Sequence, residues 1–230
     1  MDSGGMRGRA SRPLLATAAL RRWAWALLAA GIAVAVALGL AFARQCGPDR
    51  FDRAADAPVI DSLGRHQALA GWLTQPGNRV PFALITLALA AACLWARRWN
   101  GLVLALVADL IATGVDDKLL KPLFHRTYLG ALSYPSGHTT SVATLALVYA
   151  VLFLAPPQDR RSRGWRLAGL AVLLALLVAA VLGVLALRWH YFTDTVGGAA
   201  IAVAVTAALC LAIDALWPRA AARWQRRQPG

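Results

Sequence analysis

The sequence predicts an all-α fold, a polytopic membrane protein whose six transmembrane helices pack as one bundle. Three observations predict it. Of the 230 residues, 59% are hydrophobic, and the mean hydropathy is positive at +0.54. The apolar residues gather into runs close to the ~20 that a membrane-spanning helix needs. Arginine clusters then fall between alternate runs, as the positive-inside rule requires. A formal charge of +13 would also suit a nucleic-acid partner. These arginines flank apolar runs and do not line one soluble face, so nucleic acid is not expected as a partner.

The spans are expected at about 23–43, 81–96, 101–120, 138–154, 167–189 and 195–217. Arg7, Arg9, Arg12, Arg21 and Arg22 precede the first, and Arg97 and Arg98 separate the second from the third. Arg160, Arg161, Arg163 and Arg166 separate the fourth from the fifth, and Arg219, Arg223, Arg226 and Arg227 follow the sixth. All four clusters then share one side. Both termini are expected in the cytoplasm, with the chain crossing the inner (plasma) membrane. The chain reads as a single membrane-embedded domain over 1–230. It has a basic tail at 1–22, an outer loop at 44–80 and a chemical core at 116–194.

The first run could be a cleaved signal peptide, with Ala41, Phe42 and Ala43 resembling a cleavage site, but its apolar core is longer than usual for one. In the outer loop, Pro58, Val59, Ile60, Leu63, Ala70 and Leu73 recur at roughly helical spacing, as in an amphipathic helix on the interface. A lid over a site and a tether packed on the bundle both fit it. Trp23, Trp25, Trp95, Trp99, Trp189 and Trp217 sit at span ends, as an aromatic belt would. Cys46, Cys93 and Cys210 form no disulfide framework. Asp109 lies inside the third span, about two turns from its inner end, and is expected to hydrogen-bond within the bundle, remote from the outer face. Asp214 reads as interfacial, His125 as an interface histidine and His66 as a solvated loop residue.

Three polar segments share the outer face. In Pro135-Ser136-Gly137-His138, proline is disfavoured inside a helix, serine is a favoured N-cap and glycine admits a ligand close to the backbone. A helix starting there points free N–H groups and a positive dipole end at an anion such as phosphate, with His138 on its first turn. His190 and Asp194 are four apart, so a helical turn puts them on one face, where a carboxylate can fix the imidazole tautomer. The segment from Asp116 to Arg126 carries both lysines of the chain, Lys118 and Lys121. Lys121 and Arg126 are suited to the charge that spreads over phosphoryl oxygens.

Together the three segments resemble the type 2 phosphatidic acid phosphatase (PAP2) superfamily, integral-membrane lipid phosphatases. Its Pro-Ser-Gly-His segment is matched in full, and His190 and Asp194 match its third segment in type and spacing. Two positions depart from the family pattern. Val184 stands where the family's third segment has arginine, with Arg188 one helical turn later. Aligning the family lysine on Lys121 puts Tyr128 at the second basic position, with Arg126 two residues early; aligning on Lys118 puts His125 there.

The resemblance implies a metal-independent phosphatase without cofactor, acting on a lipid phosphate at the outer membrane face. Polyprenyl phosphates or diphosphates, phosphatidic acid and phosphatidylglycerol phosphate are the candidate substrates. His190 is implied as the nucleophile that becomes phosphohistidine, Asp194 as its orienting group and His138 as the acid for the leaving oxygen. Lys121, Arg126, Ser136, Gly137 and Arg188 are implied as phosphate ligands. Lipid phosphotransfer, or a silent lipid-binding protein, are the alternatives that the resemblance leaves open.

Overall fold

The computed structural model describes residues 13–155 and 160–226, apart from the side chains of 160, 161 and 219–226. Arg7, Arg9, Arg12 and Arg227 of the basic clusters lie outside the described residues.

Helices dominate: α1 (Ala18–Ala41), α2 (Arg50–Leu63), α3 (Gln67–Thr74), α4 (Arg79–Trp95), α5 (Trp99–Val115), α6 (Lys121–Phe124), α7 (Gly137–Phe153), α8 (Arg160–Ala186) and α9 (Phe192–Arg226). Four segments are long and apolar enough to cross a membrane: Ala18–Ala41, Gln67–Trp95, Ser162–Ala186 and Phe192–Pro218. The expected spans at 101–120 and 138–154 are helical too, but differ in kind. α7 has 17 residues, about 25 Å of helix, short of a ~30 Å hydrocarbon core. Eleven of its residues are buried, because α5, α8 and α9 enclose it. Its environment is protein on nearly every side, which explains why its apolar residues show no single face. α5 does not stop at Val115 but continues through a π-helical turn, Asp116–Leu120, into α6.

α9 is the other central element, packing along α1, α7 and α5. The bundle has two distinct ends. At one, Asp214 accepts from the Leu14 and Leu15 amides at 2.7 and 2.8 Å, Arg98 donates to the Leu152 carbonyl, and Arg166 donates to the Phe153 carbonyl at 3.1 Å. Asp214 is therefore a tether for the chain entering α1, beyond the interfacial role expected for it. The described arginines of the clusters collect at this end.

At the opposite end the long loop expected over 44–80 is structured. α2 is N-capped by Asp49, whose side chain accepts from the Asp52 amide at 2.6 Å. Its fully buried residues are the carboxylates Asp52 and Asp56, while Ala55, Val59, Ile60 and Leu63 are half-buried. α3 packs on α8, and a 3₁₀ turn, Gln75–Gly77, leads into α4. The all-helical expectation misses one small feature. Thr127–Tyr128 (β1) pairs antiparallel with Ala131–Leu132 (β2). Leu129 and Gly130 between them have φ of 48° and 85°, the sign that a two-residue type I′ hairpin requires. Leucine in such a turn gives no sequence signal.

Candidate active site

The site is built on the N-terminus of α9. The amides of its first two residues are taken by carboxylates, which satisfies donors that a helix start leaves free. Asp56 Oδ1 accepts from Phe192 N at 3.1 Å, and Asp52 Oδ1 accepts from Thr193 N at 3.0 Å and from its hydroxyl at 2.8 Å. Asp194, third residue of the helix, reaches back with Oδ2 to Tyr191 N at 3.0 Å, the acidic half of a capping box. Arg126 completes this cluster. One guanidinium nitrogen donates to Asp194 Oδ1 and to Thr193 Oγ1, both at 2.6 Å, and the other donates to Asp52 Oδ2. Its plane lies 4.5 Å from the Phe42 ring centre and 4.4 Å from that of Tyr191. Burial pushes the Tyr191 phenol up to about 12. Burial, aided by Asp52, likewise pushes the Asp56 carboxyl up to about 7.

His190 stands just before this cap. Its Nδ1 lies 2.9 Å from the Ser133 carbonyl and 3.7 Å from Asp194 Oδ2. A carbonyl only accepts, so Nδ1 carries the proton and the neutral ring keeps its free lone pair on Nε2. The orienting bond is therefore made by Ser133, while Asp194 acts on the ring as a nearby charge. A second link binds the two motifs: Ser136 N donates to the Asp194 carbonyl at 3.0 Å.

α7 begins at Gly137 with Ser136 in the N-cap position, as the sequence predicts. The Ser136 hydroxyl, however, makes no capping bond; it is buried and accepts from Thr139 Oγ1 at 3.2 Å. His138 packs at 5.5 Å between ring centres on Trp189, and its Nε2 lies 3.1 Å from Asn78 Oδ1. Gly77 is pressed against it: a Cβ at 77 would stand 2.7 Å from His138 Cδ2.

Gly137, His138, His190 and Lys121 line one cavity of about 600 Å³, together with Asn78, Arg79, Ser141 and Trp189. Lys121 Nζ is paired with Asp117 at 2.7 Å. Lys118 is exposed and forms no part of the wall, so of the two lysines it is Lys121 that reaches the histidines. Asp109 also lines the cavity, contrary to its expected remoteness. Asp109, Thr113, Asp117 and Lys121 recur every four residues and form one stripe along α5 and its continuation, so the cavity reaches deeper than the helix end.

The structure does not bring every expected phosphate ligand here. Arg126 is 1% exposed, with both terminal guanidinium nitrogens bonded in the cap of α9 and its Nε left without a partner. Arg188, with φ of 57°, lines a separate cavity of about 650 Å³ with Asp61 and Arg65. Val184, at the family arginine position, is fully buried. His125 is exposed in the left-handed conformation that ends α6. Asn78, Arg79, Asp52 and the Ser133 carbonyl had no motif to mark them. The one available hint is an asparagine at a helix start followed by arginine, a residue the helix dipole disfavours there.

No curated protein and no solved structure matches the chain. The PAP2 superfamily matches residues 104–218, which is 115 of the 230 positions. That stretch runs from α5 into α9 and holds Lys121, His138, His190 and Asp194 in the arrangement just described. The chain, a predominantly helical protein with membrane-length apolar helices, belongs to the PAP2 superfamily, whose members are phosphatases.

Proposed function

We propose that the protein hydrolyses a lipid phosphomonoester or diphosphate through a phosphohistidine at His190. The observation that carries this reading is the pairing of His138 and His190 on one cavity, with Nδ1 of His190 held by a carbonyl and Nε2 left free. The Nε2 lone pair forms a bond to phosphorus as the bond from phosphorus to the leaving oxygen breaks, and His138 gives that oxygen its proton. Water then attacks phosphorus, the phosphorus–nitrogen bond breaks, and its proton passes to His138. Asp194, 3.7 Å from Nδ1, stabilises the positive ring of the intermediate. Lys121 and the Gly137 amide meet the phosphoryl oxygens. Protein cations and a helix end supply the charge, so the reaction needs no metal in this reading.

All six apolar helices cross the bilayer in this proposal, α7 being shielded from lipid by its neighbours while α5 turns Leu106, Leu110 and Ile111 outward. The arginine-rich end faces the cytoplasm of the inner membrane and the cavity opens on the outer side. Polyprenyl phosphates and diphosphates, phosphatidic acid and phosphatidylglycerol phosphate are the substrates to test.

The experiment is phosphate release by the detergent-purified protein, with chelator present, from those lipids and from soluble phosphate esters. Release from lipids alone is expected, with loss of at least about a thousandfold in His190→Ala. Full activity in the His138→Ala, His190→Ala double variant would overturn the assignment. Transfer of phosphate to an added lipid alcohol, with little free phosphate, would mark a phosphotransferase. A folded protein that neither releases nor transfers phosphate would be a silent lipid binder.

A further inference from the structure

Two local rules are broken side by side at the start of α4. Asn78 holds the N-cap position yet makes no capping bond; its Oδ1 lies against His138 Nε2 at 3.1 Å instead. Arg79 is the first residue of this 17-residue helix, which has no acidic residue in its first turn, so its charge opposes the helix dipole. Such breaches of local preference concentrate at functional positions. The Arg79 side chain is exposed in the wall of the His138–His190 cavity. Among the described residues it makes no hydrogen bond or ion pair. Of the other basic candidates, Arg126 is held in the cap of α9 and Arg188 lines a separate cavity, which leaves Lys121, paired with Asp117 at 2.7 Å, as the second cation on this wall.

We propose that Arg79 binds the phosphoryl group of the substrate, supplying the fixed cation that Val184 and the buried Arg126 do not. Its planar fork suits two phosphoryl oxygens at once. Gly77 and Asn78, directly behind it, seat His138. The Gly77–Arg79 segment is thus a fourth piece of the active site, lying outside the family-matched residues 104–218. The turnover part of this inference rests on the phosphatase reading above, whereas the anion-binding part does not.

The test compares wild type, Arg79→Ala, Arg79→Lys and His190→Ala in detergent. Two quantities are read: affinity for inorganic phosphate, from the rise in melting temperature at constant ionic strength, and kcat/KM on a lipid phosphate. Arg79→Ala is expected to weaken phosphate binding at least about tenfold and to lower kcat/KM about a hundred- to a thousandfold. Its melting temperature without phosphate should stay within ~2 °C of wild type, and Arg79→Lys should recover part of both losses. His190→Ala should lose turnover and keep phosphate binding. If wild type turns over no lipid, the phosphatase reading fails, and the binding comparison alone decides the role of Arg79. Phosphate binding by Arg79→Ala within about threefold of wild type, or no phosphate binding by wild type, overturns the inference.

Discussion

Arg126 shows how a residue type can be right for one role and be used for another. Its guanidinium is buried between Phe42 and Tyr191 and bonded to two buried carboxylates, Asp52 and Asp194. Removing it leaves both carboxylates without their cation, which typically costs about 3–5 kcal/mol. Arg126→Ala should therefore lower the melting temperature on the order of 10 °C for a chain of this size. Thermal denaturation in detergent checks this; an unchanged melting temperature with a raised KM would make Arg126 a substrate ligand instead. Lysine should not rescue it, since one ammonium cannot reproduce the fork. Gly77 is a second residue whose effect is steric. With a Cβ expected 2.7 Å from His138 Cδ2, Gly77→Ala must displace the ring, and a misplaced acid should lower kcat about a hundredfold while the fold survives. Steady-state kinetics beside a melting curve would separate the two effects.

At the scale of elements, α2 is fastened to α9 by Asp52 and Asp56, which take the Thr193 and Phe192 amides. That attachment argues for a fixed brace at this point and against a freely opening lid. It also makes the brace sensitive to pH. The Asp56 carboxyl is pushed up from 3.8 to about 7, first by burial and then by Asp52, with Asp194 adding and the Phe192 amide and Arg126 opposing. A group raised in the folded state contributes its full stability below its unfolded value and loses it as pH rises through the folded one. The loss for Asp56 therefore falls between about pH 4 and pH 7. Asp56→Asn keeps an acceptor for the Phe192 amide without the charge. It should match wild type near pH 4 and exceed it at pH 8, by on the order of 1–2 kcal/mol once solvent screening is allowed for. Melting temperatures across that range test it, and parallel curves for the two proteins would refute it.

For the whole molecule, the ion-paired cap and the arginine-rich junctions lie at opposite ends of the bundle, so a single labelling experiment reads the orientation. Cys46 is exposed beside the cap, whereas Cys93 and Cys210 are buried. A membrane-impermeant maleimide applied to intact cells, with any outer membrane permeabilised, should modify Cys46 and spare the other two. Modification only after lysis would turn the protein over and place the cavity on the cytoplasmic side.

His190 stands before α9 and so shares no helical face with Asp194, but helical segments and the start of α7 at Gly137 were legible from the chain alone. They depend on hydrophobic runs, capping preference and helical spacing, which act over a few residues. The lysine choice, the hairpin and the partners of the site were not. His190 is held by Ser133, 57 residues away, His138 by Asn78, 60 away, and Arg126 by Asp52, 74 away. Each is a choice among several chemically adequate partners, and close packing of α2, α4, α7 and α9 makes it. Short-range preference cannot encode which carboxylate a buried arginine will meet. That is why the sequence marked the segments that meet at the cavity, while the tertiary structure decided which cations face it.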